Sequence, residues 1–171
     1  KQTKYSASSV LEYPKVLEVP EHTTDLEVAK SQLSEFGMTV VTDVLSSEEV
    51  EVLSDKLDRQ AEAERALGDL SPVDHELPMQ SLSNLVNKGQ HFLDLVERQE
   101  TEELAGFMLG PNFLLSSLTG SLFRKPSLVP QALHRDQGQV PATADFPAAC
   151  NVFYLLDDFT AARGGTHVVP G

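Results

Sequence analysis

The chain has 171 residues, of which 26 are acidic and 13 are Lys or Arg, so its net charge at pH 7 is −13. This acidic balance argues against nucleic acid or an anionic membrane surface as a partner. An apolar content of 40% and one cysteine, Cys150, indicate a globular protein from a reducing compartment. Together with the absence of a long apolar run, this predicts a cytoplasmic protein with a single domain over residues 1–171.

The front of the chain is predicted to be an extended arm followed by a mainly helical layer. Residues 1–24 contain Pro14 and Pro20 and form the arm, and residues 25–110 form the layer. Capping residues and apolar side chains at helical spacing predict helices over 25–36, from Ser46 or Ser47 to about residue 68, over 90–97 and over 101–109. Residues 37–44 are rich in β-branched side chains and are predicted to form a strand. Residues 68–82 are predicted to be a loop.

The pattern changes to short β-like segments in residues 111–171. Strands are predicted over 112–123, 131–136, 150–156 and 165–169. Helices followed by strands indicate the α+β class. The strand spacing fits a double-stranded β-helix, the cupin-like jelly roll, of which residues 111–171 would be the first part.

One pair of residues in this region carries possible metal chemistry. His134 and Asp136 are two positions apart, so in an extended strand both side chains point to the same side. A histidine, an aspartate and a second, distant histidine form the two-His-one-carboxylate triad of non-haem iron oxygenases. With five histidines and eleven aspartates, however, a His-x-Asp pair arises by chance in about one such chain in three. The alternative is a strand-end histidine beside a solvated aspartate.

Three segments around this pair resemble the phytanoyl-CoA dioxygenase family. Residues 151–171 read NVFYLLDDFTAARGGTHVVPG, which is similar to the family's acidic turn, its Gly-Gly-Thr element and its Val-Val-Pro-Gly end. Residues 131–137, QALHRDQ, and the segment 37–44 with its following Ser-Glu-Glu also match in order and spacing. The resemblance covers about residues 26–171, and it is strongest to members that tailor small natural products.

The resemblance implies an Fe(II)- and 2-oxoglutarate-dependent dioxygenase with a jelly-roll fold. It implies that His134 and Asp136 ligate iron and are the catalytic residues. It places Gln131, Asn151 and Thr166 near 2-oxoglutarate. Strict alternation along a strand puts Gln131 on the side opposite His134, so its role requires a bulge or bend before the histidine.

The implied reaction is the oxidation, most simply the hydroxylation, of a C–H bond in a small organic molecule. 2-Oxoglutarate would be decarboxylated to succinate and CO2, with dioxygen as the oxidant. Retention of the carboxylate at Asp136 favours this outcome over halogenation. Substrate residues are not identified, and the sequence allows a homodimer. Two other functions remain open: a catalytically inactive jelly-roll module that binds a ligand, and an acidic module that binds a basic protein.

The third iron ligand has no match in the sequence. His22, His75 and His91 lie in the arm, the loop and a helix, and His167 occupies a position that is not a ligand in the family. The arginine that the family uses to pair with 2-oxoglutarate is not matched either. We therefore expect both residues after Gly171, and a jelly roll that residues 1–171 leave incomplete.

Overall fold

A computed structural model describes residues 19–68, 79–123, 132–136, 140–141, 144–160, 163 and 165–169. Within these residues the helices precede or flank a small sheet, which is the α+β class that the sequence predicts. The helices are α1 (Leu26–Phe36), α2 (Ser47–Leu67), α3 (Gln90–Val96) and α4 (Gln99–Leu109), and the strands are β1 (Met79–Leu82) and β2 (Gly120–Phe123). One turn of 3-10 helix, Leu85–Asn87, precedes α3. None of the helices in the described ranges has the length and apolar character needed to cross a membrane.

Local capping explains where the two front helices begin and end. The Asp25 carboxylate accepts hydrogen bonds from the backbone N–H groups of Glu27 and Val28 in the first turn of α1, and Gly37 ends this helix with a φ of 70°. Ser46 and Glu49 form a reciprocal capping box at the start of α2, and Gly68 ends α2 in the left-handed region. The helices predicted over 25–36 and from Ser46 or Ser47 to about residue 68 are therefore confirmed.

The core lies between α2, the sheet and α3. Tyr154 and Leu156 pack against it from the later part of the chain. On another side α1 packs against α4, where the Lys30 ammonium lies 2.6 Å from a carboxylate oxygen of Glu103. The buried members of the core are Leu53, Ala61, Leu82, Leu85, Phe92 and Leu95.

The sheet pairs β1 with β2 in antiparallel register, with Met79 opposite Phe123 and Leu82 opposite Gly120. Gly120 is buried, and a Cβ atom there would lie 2.7 Å from a methyl carbon of Leu57, so α2 approaches this strand closely. The predicted loop over 68–82 is wrong at its end, because residues 79–82 form β1. The prolines of the preceding residues suggested a loop, but the alternating burial of Gln80 and Leu82 is that of a strand.

Of the other predicted strands, only the end of one is confirmed. Residues 37–44 contribute only one isolated parallel bridge, between Thr23 and Val41, and the strand predicted over 112–123 is reduced to Gly120–Phe123. The described parts of 131–136, 150–156 and 165–169 have no strand assignment. A strand requires a hydrogen-bonded neighbour, and no described segment provides such a ladder for these residues. A double-stranded β-helix is therefore not confirmed within the described residues.

Candidate metal centre

The side chains of His134 and Asp136 lie close together, although residues 132–136 do not form the strand that the sequence predicts. The Nε2 atom of His134 lies 3.1 Å from Oδ1 of Asp136, and the side chains are 52% and 54% exposed. Two ligands at right angles, each about 2.1 Å from an octahedral ion, are separated by about 3.0 Å. The two atoms therefore fit adjacent positions around one metal ion.

A backbone contact fixes the other side of the imidazole ring. Nδ1 of His134 lies 2.8 Å from the carbonyl oxygen of Ala132. A carbonyl oxygen only accepts hydrogen bonds, so this contact requires the proton on Nδ1. In the neutral ring Nε2 then carries the lone pair, so two acceptor atoms lie 3.1 Å apart. A proton shared between them, or a metal ion bound to one side of both atoms, would satisfy the pair, and a histidine whose other nitrogen donates to a carbonyl is common at metal sites.

Asn151 completes a cluster of three predicted site residues. Its side-chain amide nitrogen donates a hydrogen bond to Oδ2 of Asp136, the carboxylate oxygen that does not face His134. The two residues are 15 positions apart in the chain. The structure therefore brings His134, Asp136 and Asn151 together.

The segment that contains Asn151 contacts the helical layer through the side that faces away from Asn151. Tyr154 and Leu156 turn toward the core, whereas Phe153 and Leu155, on the same side as Asn151, are 67% and 51% exposed. The Tyr154 hydroxyl donates to the carbonyl oxygen of Leu95 at 2.8 Å and also contacts the Thr101 hydroxyl. Burial raises the pKa of Tyr154, so this phenol remains a hydrogen-bond donor at neutral pH.

A tight turn precedes Thr166. The backbone N–H groups of Arg163 and Gly165 both donate to the carbonyl oxygen of Thr160, each at 2.9 Å. The Arg163 side chain returns to Asp157, with an N···O distance of 2.7 Å. A Cβ atom at Gly165 would lie 3.2 Å from the carbonyl carbon and oxygen of Thr160. The turn thus fixes the backbone immediately before Thr166, whose side chain is exposed.

The other residues named as possible ligands or site residues do not join this cluster within the described part of the chain. Gln131 and His75 lie outside the described residues. His22, His91 and His167 are exposed. Across the described ranges, no three His, Cys, Asp or Glu side chains form a group that could hold a metal ion, so the pair lacks a third ligand from these residues. Burial raises the pKa of the Cys150 thiol, which agrees with a structural role for that residue.

Two contacts that matter here were not predicted. The Ala132 carbonyl orients His134, and the hydrogen bond from Tyr154 to Leu95 attaches the neighbouring segment. Alternation along residues 151–156 assigns Tyr154 and Asn151 to opposite sides, which is the signal that could have identified the tyrosine. No sequence pattern points to a backbone carbonyl at Ala132 as the partner.

Comparison with known proteins identifies a family to which this chain is similar. The family model described as Phytanoyl-CoA dioxygenase (PhyH) matches residues 33–171, which include the pair, Asn151 and Thr166. No solved structure matches the chain. Members of the matched family are typically Fe(II)- and 2-oxoglutarate-dependent oxygenases. The match extends over most of the sequence, so the chain belongs to the phytanoyl-CoA dioxygenase family.

Proposed function

We propose that this protein is an Fe(II)- and 2-oxoglutarate-dependent dioxygenase that hydroxylates a C–H bond of a small organic molecule. The observation that supports this most is the approach of His134 Nε2 to Asp136 Oδ1, at 3.1 Å, in a chain that belongs to the phytanoyl-CoA dioxygenase family. The His134 ring is held by the Ala132 carbonyl in the tautomer that a metal ligand needs. The proposal includes the jelly roll as the complete fold around the site.

The roles of the two ligands follow from their chemistry. His134 provides a neutral nitrogen and Asp136 provides a negative charge that partly balances a divalent cation. In this proposal the third protein ligand is a histidine outside the described residues. With three protein ligands, the iron would still be able to bind the cosubstrate and dioxygen.

The overall reaction balances without a further reductant. Bound iron supplies the redox chemistry that couples C–H oxidation to the decarboxylation of 2-oxoglutarate. One oxygen atom of O2 enters the hydroxylated product and the other enters succinate, while CO2 is released. The chain's contribution is to hold the cosubstrate, for which Gln131 and Thr166 are the proposed residues, and to orient the substrate's C–H bond.

The surface beside Asn151 suits a substrate with an apolar part. Phe153 and Leu155 project from the same side of the segment as Asn151 and are exposed. In the full jelly roll this side would face the cavity. Such a wall offers apolar contact to a substrate bound next to the metal ligand Asp136.

The experiment measures iron-dependent conversion of 2-oxoglutarate. The protein at its full natural length is freed of metal, loaded with Fe(II) without oxygen, and then supplied with 2-oxoglutarate, air and a panel of small organic molecules. Succinate and CO2 should form in equal amounts with Fe(II) and should not form when the iron is chelated. Binding of metal and 2-oxoglutarate without succinate on any substrate would favour the inactive binding module. Failure to bind Fe(II) would overturn the proposal altogether.

A further inference from the structure

The amide group of Asn151 has only one orientation that fits its partner. The Asp136 carboxylate only accepts hydrogen bonds, so the NH2 group of Asn151, and not its oxygen, must face Oδ2. A hydrogen bond to an ionised carboxylate is among the stronger ones that a neutral side chain makes. This contact therefore restrains the carboxylate rather than merely lying near it.

The two oxygens of Asp136 consequently have different tasks. Oδ2 is held by Asn151, and Oδ1 faces His134 Nε2 at 3.1 Å. A carboxylate held in this way presents one oxygen to a metal ion and withholds the other. Without the amide, the carboxylate can rotate, and its two oxygens compete for the same position.

The segment that contains Asn151 is also held in place by a contact on its other side. Three residues further along the segment, the Tyr154 hydroxyl donates to the Leu95 carbonyl oxygen at 2.8 Å. Leu95 belongs to the buried core on α3. The position of Asn151, and through it that of Asp136, is thus tied to the helical layer and not only to the exposed segment 132–136.

We infer that Asn151 is a positioning residue for the metal ligand Asp136, which it holds in an orientation that offers a single oxygen to the ion. This inference rests on the proposed function. It differs from the role implied by family resemblance, in which Asn151 lies near 2-oxoglutarate, because it assigns the amide a direct effect on metal affinity. Loss of such a partner to a ligand typically weakens metal binding about 10- to 100-fold.

The test replaces Asn151 by Leu, which has nearly the same shape and no hydrogen-bonding group. Full-length protein is prepared without metal, and Co(II) binding is titrated by its visible absorption, with no turnover involved. The Kd for Co(II) should rise about tenfold or more in Asn151→Leu. In Val152→Ala, a matched control in the same segment with an exposed side chain, it should stay within about twofold of the parent. Asn151→Ser is the second variant if the leucine protein does not fold.

The metal affinity decides the outcome. An unchanged Co(II) affinity in a folded Asn151 variant overturns the inference. If the KM for 2-oxoglutarate rises at the same time, Asn151 contributes to cosubstrate binding and not to metal binding. Asp136→Ala separates this failure from failure of the proposed function. If Asp136→Ala binds Co(II) as tightly as the parent protein, the pair is not a metal site and both conclusions are wrong. If only Asn151→Leu binds normally, only the positioning role is wrong.

Discussion

The Tyr154 hydroxyl donates a hydrogen bond to the Leu95 carbonyl oxygen, and this 2.8 Å contact joins the segment bearing Asn151 to the buried core. Leu95 is only 7% exposed, so little water is available to replace the phenol. The side chain of Tyr154 also packs against the core cluster. The polar side of the segment is therefore positioned by a contact made on its opposite side.

Tyr154→Phe tests this attachment. The substitution keeps the ring and removes the hydroxyl, so we expect the free energy of unfolding to fall by about 0.5–1.5 kcal/mol. Urea denaturation of both proteins provides the measurement. Phe153→Leu, at the exposed neighbouring position, should change stability by no more than about 0.5 kcal/mol. Equal stability of Tyr154→Phe and the parent would show that the contact does not support the fold.

Asp136→Ala tests the ligand pair. The variant loses one of three protein ligands and the charge that balances iron, so 2-oxoglutarate conversion should fall to background. Succinate formation at saturating Fe(II) is the measurement. Asp145→Ala removes another exposed aspartate from the later part of the chain and should keep the parent rate. Full turnover by Asp136→Ala would disprove the assignment of this carboxylate to iron.

Thr166→Val tests the cosubstrate site. The swap keeps the side-chain shape and deletes the hydroxyl, so a 2-oxoglutarate carboxylate loses one hydrogen bond, which costs about 1–3 kcal/mol of binding free energy. Titration of 2-oxoglutarate at constant metal should show this as a weaker Kd. Thr166→Ser retains the hydroxyl and should bind close to normally. If valine and serine variants bind alike and as well as the parent, Thr166 does not contact the cosubstrate.

Glu64 on α2 predicts a specific response to acid. Burial alone would raise the pKa of Glu64, but hydrogen bonds from Lys88 and Gln60, together with the Lys88 charge, hold it below its ordinary value of 4.5. A carboxyl group with a lowered pKa in the folded state stabilises the protein above the pKa of the unfolded chain. This contribution disappears as the pH falls through the pKa of the folded state.

We therefore expect Glu64→Gln to flatten the pH dependence of stability below about pH 4.5. The measurement is the free energy of unfolding by urea at several pH values between about 3 and 7. Glu62→Gln changes an exposed carboxylate on the same helix and should leave the parent's slope almost unaltered. Identical slopes for the two variants would indicate that the Lys88 ion pair makes no contribution to stability.

The helices could be predicted because their limits are set by neighbouring residues. Asp25 and Ser46 each cap a helix through side-chain contacts within three positions, and such short-range patterns are visible in a sequence. The strands could not be predicted in the same way. Whether residues 79–82 pair, and with which partner, depends on Gly120–Phe123, some forty positions later.

In the candidate site, too, contacts between sequence neighbours could be predicted and contacts between distant segments could not. His134 and Asp136 are close because they are two residues apart, and the sequence already indicates a shared side. The family resemblance identified Asn151 as a site residue, but it placed this residue near 2-oxoglutarate and not beside Asp136. Its hydrogen bond to Asp136 depends on how two distant segments pack, and the same is true of Tyr154 and Leu95.

The turn before Thr166 restricts which mutations the protein can accept. At Gly165 the nearest obstacles to a Cβ atom are backbone atoms of Thr160 and Phe159, which cannot rotate away as a side chain can. An alanine there would require these backbone atoms to shift by a few tenths of an ångström, which the two hydrogen bonds to the Thr160 carbonyl oppose. In a library of functional variants position 165 should remain glycine, whereas the exposed Val168 and Val169 should vary freely. Directed evolution for new substrates would therefore have to leave this turn intact and change the surrounding surface.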